Sequence, residues 1–369
     1  MEQFAEVNRF FIAKVAEQIL RIGELNATSM HRIAVMAQMN ADMAEINRMI
    51  AQAVQIAVPQ LYQIYQKALD DLYFDPRFVR ALKETPLSLG ARKRLEQYVQ
   101  SVGRQTAGTM QNLSNTTIAS QTYRKTVDKA ILATSSGMTD YKSAMREAVK
   151  ELGYGGVQVQ YPSGHHRRLD SAVRQNIIDG TKQIAHHGSQ IMGEELGYDA
   201  VEITAHLRSA PDHEPIQGHV FLKAEFEKMQ SGQPFTDIDG RNYAAIRRAI
   251  GQWNCMHVPM SFSTKYSKRK YTNEQLNQMA EDNAAGCEID GKRYTIYECG
   301  QMMRRIETQV RREQEAAIAG MSVGDMDLRK DCQRRINALS RRYGEIAKQS
   351  GITPRKDRMY VPGFKMVKV

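Results

Sequence analysis

The sequence predicts a predominantly helical α+β protein, with a long N-terminal helical arm, a small mixed α/β centre with a few short strands, and a basic helical C-terminal region. Through the first 70 residues and again after residue 272, apolar residues recur at steps of three and four, which is the period of an amphipathic helix. Between these regions, short alternating runs indicate strands. Hydrophobic residues make up 42% and charged residues 25% of the chain, as in ordinary globular proteins, so a disordered chain is not expected.

The N-terminal helices follow from the spacing of apolar side chains and from the residues that interrupt it. Phe4, Phe11 and Ile19 share one face of the first predicted helix. A break is expected near Asn26, and the helical pattern ends at Asp75-Pro76, because the residue before a proline avoids helical backbone.

Methionines at positions 30, 36, 39, 43 and 49 lie close together within this arm. Methionine at helical spacing is typical of a core, and it also suits adaptable surfaces that bind partners. The arm is therefore expected to pack a core, with docking on a protein partner as the alternative.

Farther along the chain, helical and strand patterns alternate. Helices are predicted at 91–134, 141–152 and 171–196, strands at 157–161, 201–204 and 219–221, a loop at 162–170, and a helical region from residue 272 with breaks at 290–291 and 320–322. Changes in composition divide the chain into an arm (1–135), an α+β core (136–271) and a basic helical region (272–369).

The cysteines predict a reduced protein. All four lie in the last third of the chain, at spacings that match no Cys-x-x-Cys motif, namely Cys255, Cys287, Cys299 and Cys332. We therefore expect free thiols, as in a cytosolic protein, and no disulfide framework.

Neither membrane insertion nor secretion is expected. The longest apolar stretch, at 51–58, is interrupted by glutamines and is far shorter than the roughly 20 residues that cross a bilayer. The first residues lack the basic start and the apolar run of a secretion signal.

The net charge of +10 is concentrated near the C-terminus. Between residues 304 and 358 the chain has eleven Arg and three Lys against eight Asp and Glu. This excess indicates contact with a polyanion such as DNA, and without a groove-reading motif the contact should not depend on base sequence. The alternative is a solvated helical face with internal ion pairs such as Arg311 with Glu315. The residues expected to contact DNA are Lys268, Arg269, Lys270, Arg304, Arg305, Arg311, Arg312, Arg334, Arg335, Arg341 and Arg342.

Two predicted loops concentrate the side chains that could carry chemistry. A zinc site could take its thiolate and imidazoles from His206, His213, Cys255 and His257. Their spacing matches neither a helical pair nor a zinc knuckle, so hydrogen bonding that fixes an irregular loop is the preferred interpretation. An enzymatic alternative uses the same four residues to activate water on a metal and to act on a nucleic acid or nucleotide. No nucleophile motif accompanies them.

An ordered set of motifs along the chain resembles one phage protein family. These motifs are Tyr161-Pro162-Ser163-Gly164, Ala205-His206, Ala210-Pro211-Asp212-His213, Gln217-Gly218, Asn254-Cys255-Met256-His257, Tyr271-Thr272-Asn273-Glu274 and Tyr294-Thr295-Ile296-Tyr297. By these motifs the chain resembles the phage minor capsid protein 2 family, which is similar in turn to the Mu F-like head morphogenesis proteins. The motif core comprises Pro211, Asp212, Gln217, Gly218, Trp253 and Asn254.

The resemblance implies a structural protein rather than an enzyme. It implies a virion component inside the head near the portal, which assists head assembly and the packaging or delivery of DNA. The implied partners are the portal protein, the major capsid or scaffolding protein and packaged double-stranded DNA, with the host cytoplasm as the location during assembly. The composition agrees in outline, because a Met-rich helical arm suits docking on a protein ring and a basic C-terminal region suits DNA.

Overall fold

The computed structural model describes residues 2–24, 29–115, 117–135, 141–251 and 255–369. It confirms the predominantly helical α+β class, since 65% of the chain is helical and the strands are short and antiparallel. The helices are α1 (Glu2–Glu24), α2 (Ser29–Tyr73), α3 (Val79–Glu84), α4 (Leu89–Asn115), α5 (Ala119–Ser135), α6 (Tyr141–Gly155), α7 (Leu169–Glu195), α8 (Lys223–Gln230), α9 (Asn273–Ala285), α10 (Ile296–Ser322) and α11 (Met326–Ser350). The strands are β1 (Gln158–Gln160), β2 (His166–Arg168), β3 (Ala200–Ile203), β4 (Val220–Leu222), β5 (Phe235–Thr236), β6 (Asn242–Tyr243), β7 (Pro259–Phe262), β8 (Cys287–Ile289) and β9 (Lys292–Tyr294).

Most predicted helices are present, and one predicted loop is wrong. α2 runs through Pro59 and ends at Tyr73, beside the predicted stop. In the segment expected to be loop, β2 pairs with β1 as a hairpin. The chain can turn back within so few residues because Gly164 adopts a left-handed backbone (φ 79°), which glycine tolerates. The predicted break at Asn26 lies outside the described residues, and none of the described helices has the length and apolar character needed to cross a bilayer.

The described chain forms two compact units, each drawn from separated segments. Unit 1 comprises Met1–Val58, Ala107–Asn176 and Met302–Val369, and unit 2 comprises Pro59–Thr106 and Ile177–Gln301. The predicted division at residues 135 and 271 remains a prediction, because compactness alone does not define a domain.

The apolar face of α1 forms much of the core of unit 1. Phe4, Phe11 and Ile19 are buried, and α1 packs against α5 and α6. Met39 and Met43 of α2 are buried as well, so at these two positions methionine fills the core. For Met30 and Met36 only the backbone is described.

A buried polar network in unit 1 corrects one predicted ion pair. Glu315, 1% exposed, accepts two hydrogen bonds from the Arg168 guanidinium and one, at 2.8 Å, from the Asn8 amide. Arg311, the expected helical partner of Glu315, instead lies 3.5 Å from Asp170. Glu315 points into the interior, where an arginine from β2 can approach it and pair with it.

Unit 2 contains a three-stranded antiparallel sheet in the order β4-β3-β7, and one buried ion pair holds its central strand. The Arg77 guanidinium, from the turn after α2, lies 3.1 Å from the Glu202 carboxylate of β3 and makes two 2.6 Å hydrogen bonds to Asp75. The second oxygen of Glu202 accepts the Lys270 backbone N–H at 2.8 Å. Arg77 is 2% exposed and Glu202 is fully buried, so Glu202 depends on Arg77 for its charge to be balanced.

A disulfide joins Cys287 to Cys299 in unit 2, so the expectation of free thiols is wrong for this pair. Asp290 and Gly291, both with positive φ, form a two-residue turn that folds β8 onto β9 and sets Cys287 opposite Tyr294. Cys299 follows in the first turns of α10. The hairpin brings the two sulfurs together, which the sequence spacing does not indicate. Cys255 and Cys332 are buried free thiols.

We predict that the unreduced chain, alkylated from lysis through denaturation, has two thiols that react. After reduction, four thiols should react. The reason is that the disulfide withholds Cys287 and Cys299 from the reagent. Mass spectrometry of the alkylated peptides identifies each thiol. Cys287→Ser serves as the control for complete labelling, because three thiols must react in it. Four reactive thiols in the unreduced native sequence would contradict the pairing.

We predict that Arg77→Met lowers the free energy of unfolding by about 3–5 kcal/mol, because it leaves the Glu202 carboxylate buried without a counter-charge. The measurement is urea denaturation followed by circular dichroism. Arg80→Met is the matched control: Arg80 is an exposed arginine of α3 that lies 3.6 Å from Glu84, and its loss should cost less than about 0.5 kcal/mol. Equal effects of the two substitutions would refute the role given to Arg77.

Candidate functional site

The candidate site lies at one end of the three-stranded sheet, where antiparallel pairing brings three strand termini together. β3 ends at Ile203, opposite Pro259, the first residue of β7. β4 begins at Val220, opposite Glu202. The loop at 204–219, which connects β3 to β4, therefore meets the segment that leads into β7. This topology brings the two predicted loops into one place.

Hydrogen bonds at the base of the site join the two loops directly. The Thr204 N–H donates to the Val258 carbonyl at 3.1 Å, and the Val258 N–H donates to the Thr204 hydroxyl at 2.8 Å. Lys182 of α7 donates to the Cys255 carbonyl at 2.9 Å. The segment before β7 is thus fixed at both its strand end and its cysteine.

Gly218 is required by both its backbone and its surroundings. Its φ is 73°, and a Cβ at this position would lie 2.3 Å from a methyl group of Leu276 in α9. The Gly218 N–H donates to the Ile203 carbonyl at 2.8 Å, which closes the loop. A side chain here would displace α9 or open the loop, which explains the glycine of the Gln217-Gly218 motif.

Asp212 fixes the same loop to the chain that precedes Cys255. The Arg248 guanidinium donates to both Asp212 oxygens, at 2.9 and 2.8 Å, and this pairing holds the pKa of Asp212 below its usual range. Pro211 is exposed and begins the turn that presents Asp212. The role of Asp212 is therefore to hold the loop in place.

Three ligand-type side chains converge in the interior of this end of the sheet. The Cys255 sulfur lies 3.4 Å from Nδ1 of His213 and 3.5 Å from Nδ1 of His257. Cys255 is 4% exposed, His213 1% and His257 2%. One potential ligand atom from each of the three lies within 4.8 Å of the other two.

The second nitrogen of each of these histidines donates to a fixed acceptor. Nε2 of His213 lies 2.8 Å from the Arg248 carbonyl oxygen. Nε2 of His257 lies 3.3 Å from Oε1 of Gln217 and 3.3 Å from the Ser209 hydroxyl. Gln217 Oε1 also accepts the His206 backbone N–H at 3.0 Å, so the orientation of its amide is set. Both rings therefore carry a proton on Nε2.

The electrostatics of the cluster favour a thiolate. Burial alone would raise the pKa of the Cys255 thiol, but hydrogen bonds with His213 and His257 lower it to about 5. Burial would lower the pKa of His213, but its interaction with the Cys255 sulfur raises it. At neutral pH the sulfur is therefore an anion that attracts a proton or a cation.

His206 lies beside the cluster rather than within it. Its ring packs against the His257 ring, with the centroids 4.4 Å apart, and its Nδ1 lies 3.1 Å from the Leu207 carbonyl oxygen. The structure thus brings together three of the four residues predicted to bind zinc. With 4% of Cys255 exposed, its sulfur lacks the open face that an attacking nucleophile or a catalytic metal needs.

Trp253 and Asn254, which the motifs include, lie outside the described residues. Sequence reasoning did not identify Arg248 and Ser209 as parts of the site. Arg248 contributes its backbone carbonyl and its side chain to two different partners, and no sequence signal reveals a carbonyl acceptor. Ser209 lies in the loop at 204–219, between the predicted ligands His206 and His213, and this position in the sequence was the available signal.

The residues predicted to contact DNA fall into a paired and an unpaired group. Five form ion pairs: Arg269 with Asp239, Arg311 with Asp170, Arg334 with Asp331, Arg335 with Glu313, and Arg342 with Glu345. Six are exposed and have no ion pair within the described parts of the chain: Lys268, Lys270, Arg304, Arg305, Arg312 and Arg341. The two lysines belong to unit 2 and the four arginines to unit 1.

Comparison with known proteins identifies one family. A family model described as phage minor capsid protein 2 matches residues 3–344 of the chain. The matched range includes the Cys255 cluster and all of the residues predicted to contact DNA. Neither the curated proteins nor the solved structures give a match.

Proposed function

The chain belongs to the phage minor capsid protein 2 family, and from this membership we propose that it is a minor component inside the phage head, bound near the portal, which assists head assembly and the packaging or delivery of DNA. The family consists of phage structural proteins, so the chain is a structural component of the virion and interacts with other head components. To this structural role the proposal adds a location near the portal, the portal protein as a partner, and contact with DNA.

The exposed arginines of unit 1 support DNA contact. Arg305 and Arg312 are seven residues apart on α10, which places them on the same face of the helix, and Arg304 lies next to Arg305. None of the three forms an ion pair with a described residue, so their charges are available to phosphates. Arg341 of α11 is exposed in the same way. Such contacts neutralise phosphate charge and do not read bases.

The buried face of α1 restricts where a portal or capsid partner can bind. The apolar side chains of α1 pack inside unit 1, so docking has to use other surfaces. Phe74 after α2 and Leu89 at the start of α4 are 80% and 83% exposed. Large apolar side chains this exposed suit contact with a protein partner, and we propose the portal protein as that partner.

We predict that gradient-purified particles of the phage contain a few copies of this protein and that its N-terminal 80 residues cross-link to the portal protein. The measurement is quantitative mass spectrometry of intact particles, with cross-linked peptides identified by sequence. The major capsid protein provides the internal standard for copy number. If particles that contain portal and capsid proteins lack this chain, the proposed location is wrong.

We predict that replacing Arg304, Arg305, Arg312 and Arg341 together by Gln weakens binding to double-stranded DNA and reduces its dependence on salt. Each lost phosphate contact lowers the slope of log affinity against log salt by about 0.9, so four contacts lower it by roughly 3 to 4. The measurement is fluorescence anisotropy with a labelled duplex of arbitrary sequence across a salt series.

The matched control replaces four exposed cations of unit 2, Arg80, Lys83, Arg92 and Lys93, by Gln. The control has the same change in net charge and should keep the native salt slope. Equal losses in both variants would show a response to net charge alone, which contradicts a specific DNA-contact surface on α10 and α11.

A further inference from the structure

The Cys255 sulfur lies in a buried site and faces one ring nitrogen of each of two histidines. Both histidines have committed their Nε2 protons to oxygen acceptors, so in the neutral rings both Nδ1 atoms direct lone pairs at the sulfur. The sulfur also carries lone pairs, so three potential ligand atoms face one another inside a buried site. This arrangement is unfavourable unless a proton or a metal cation lies between them.

The distances match those set by a tetrahedral zinc ion. With Zn–S near 2.3 Å and Zn–N near 2.0–2.1 Å, tetrahedral angles separate a sulfur ligand from a nitrogen ligand by about 3.5 Å. In the structure, the Cys255 sulfur lies 3.4 Å from Nδ1 of His213 and 3.5 Å from Nδ1 of His257. We propose that His213, Cys255 and His257 bind one zinc ion, which fixes the two loops at the end of the three-stranded sheet.

The surroundings of the three ligands are those that zinc sites require. A metal-binding histidine usually donates its other ring N–H to a carbonyl or carboxylate oxygen, which fixes the ring and its tautomer. His213 does so to the Arg248 carbonyl and His257 to the Gln217 amide oxygen. The Ser209 hydroxyl donates to the Ala210 carbonyl, at 3.4 Å, so its oxygen also acts as an acceptor for His257.

The donor set and its burial define the kind of site. One thiolate with two imidazoles suits zinc, whereas oxygen ligands would suit magnesium or calcium. The three residues leave the fourth position of a tetrahedral ion to a further ligand, and their burial suits a structural ion that joins the β3–β4 loop to the segment before β7.

A second group of ligand-type residues in unit 2 is less suited to a metal. His219, Asp237 and Asp239 lie close together, and Asp239 is exposed. Asp239 accepts two hydrogen bonds from the Arg269 guanidinium, and Arg241 lies 2.8 Å from His219. These arginines already supply the positive charge that a metal would bring.

The test uses the full-length protein, first freed of metal with a chelator and then reconstituted with zinc or with cobalt(II) alone. The proposal expects one zinc per chain by elemental analysis after dialysis, and a higher melting temperature than the metal-free protein has. Cobalt should give a thiolate-to-cobalt charge-transfer band and the intense visible bands of tetrahedral cobalt. If the native sequence retains no stoichiometric zinc and shows no charge-transfer band, the proposal is wrong, whatever the variants do.

The variants separate the proposed ligands from other residues of the same type. Cys255→Ala should abolish the charge-transfer band. His213→Ala or His257→Ala should lower zinc affinity by more than the 10- to 100-fold typical of removing a residue that only hydrogen-bonds to a ligand. Gln217→Leu should lower zinc affinity by only about 10- to 100-fold, because it removes the hydrogen-bond acceptor of His257 rather than a ligand.

Two controls complete the design. Cys332→Ala removes the other buried free thiol and should leave the cobalt spectrum unchanged. His219→Ala should leave the zinc stoichiometry at one per chain. If His219→Ala releases the metal or Cys332→Ala removes the charge-transfer band, the ion is bound elsewhere and the assignment is overturned. The metal content is measured on the isolated chain, so its outcome does not depend on the role in the phage head.

Discussion

The buried pair of Arg77 and Glu202 is the interaction on which the arrangement of unit 2 depends. Glu202 lies on β3, the central strand of the only three-stranded sheet among the described residues, and a carboxylate there is tolerated only because a guanidinium reaches it. Arg77 is held in turn by Asp75, and its backbone carbonyl accepts hydrogen bonds from Tyr198 and Ser267, at 2.7 Å each. The turn after α2, the start of β3 and the chain after β7 thus meet at one arginine.

The position of β3 explains why the site needs polar motif residues. Both loops at its end are irregular, so their backbone groups have few ladder partners and must be satisfied by side chains. The side chains of Gln217 and Thr204 accept backbone N–H groups, Asp212 pairs with the Arg248 guanidinium, and Gly218 allows the loop to close against α9. These residues hold the two loops together, and Cys255 with its two histidines lies where the loops meet.

The sequence predicts the helices and strands in which apolar residues recur at a regular spacing. It fails where complete burial removes that spacing or where the partner is distant in the sequence. The spacing of Phe4, Phe11 and Ile19 reveals α1 because one face is buried and the other is not. β7 was not predicted because all four of its residues are buried and no alternation remains. The site followed from residue type for His213, Cys255 and His257, but the carbonyl of Arg248 could not be found in this way. The free thiols predicted for Cys287 and Cys299 and the Arg311–Glu315 pair were wrong for the same reason, since a hairpin and an arginine from β2 supply the actual partners.

The two interpretations of the basic C-terminal region apply to different arginines, because the arginines divide by environment. Arg335 pairs with Glu313 at 2.9 Å, and Arg334 pairs with Asp331 at 2.9 Å, so part of the charge stabilises the helices themselves. Arg305 and Arg312 are exposed and form no ion pair with a described residue, so their charge is available to the polyanion that we propose. In a structural protein of the phage head, both groups are useful. The arginines in ion pairs stabilise the helices, and rigid helices hold the exposed arginines at constant spacing. A surface of this kind can follow a DNA backbone of any sequence, which is what a head protein that contacts packaged DNA requires.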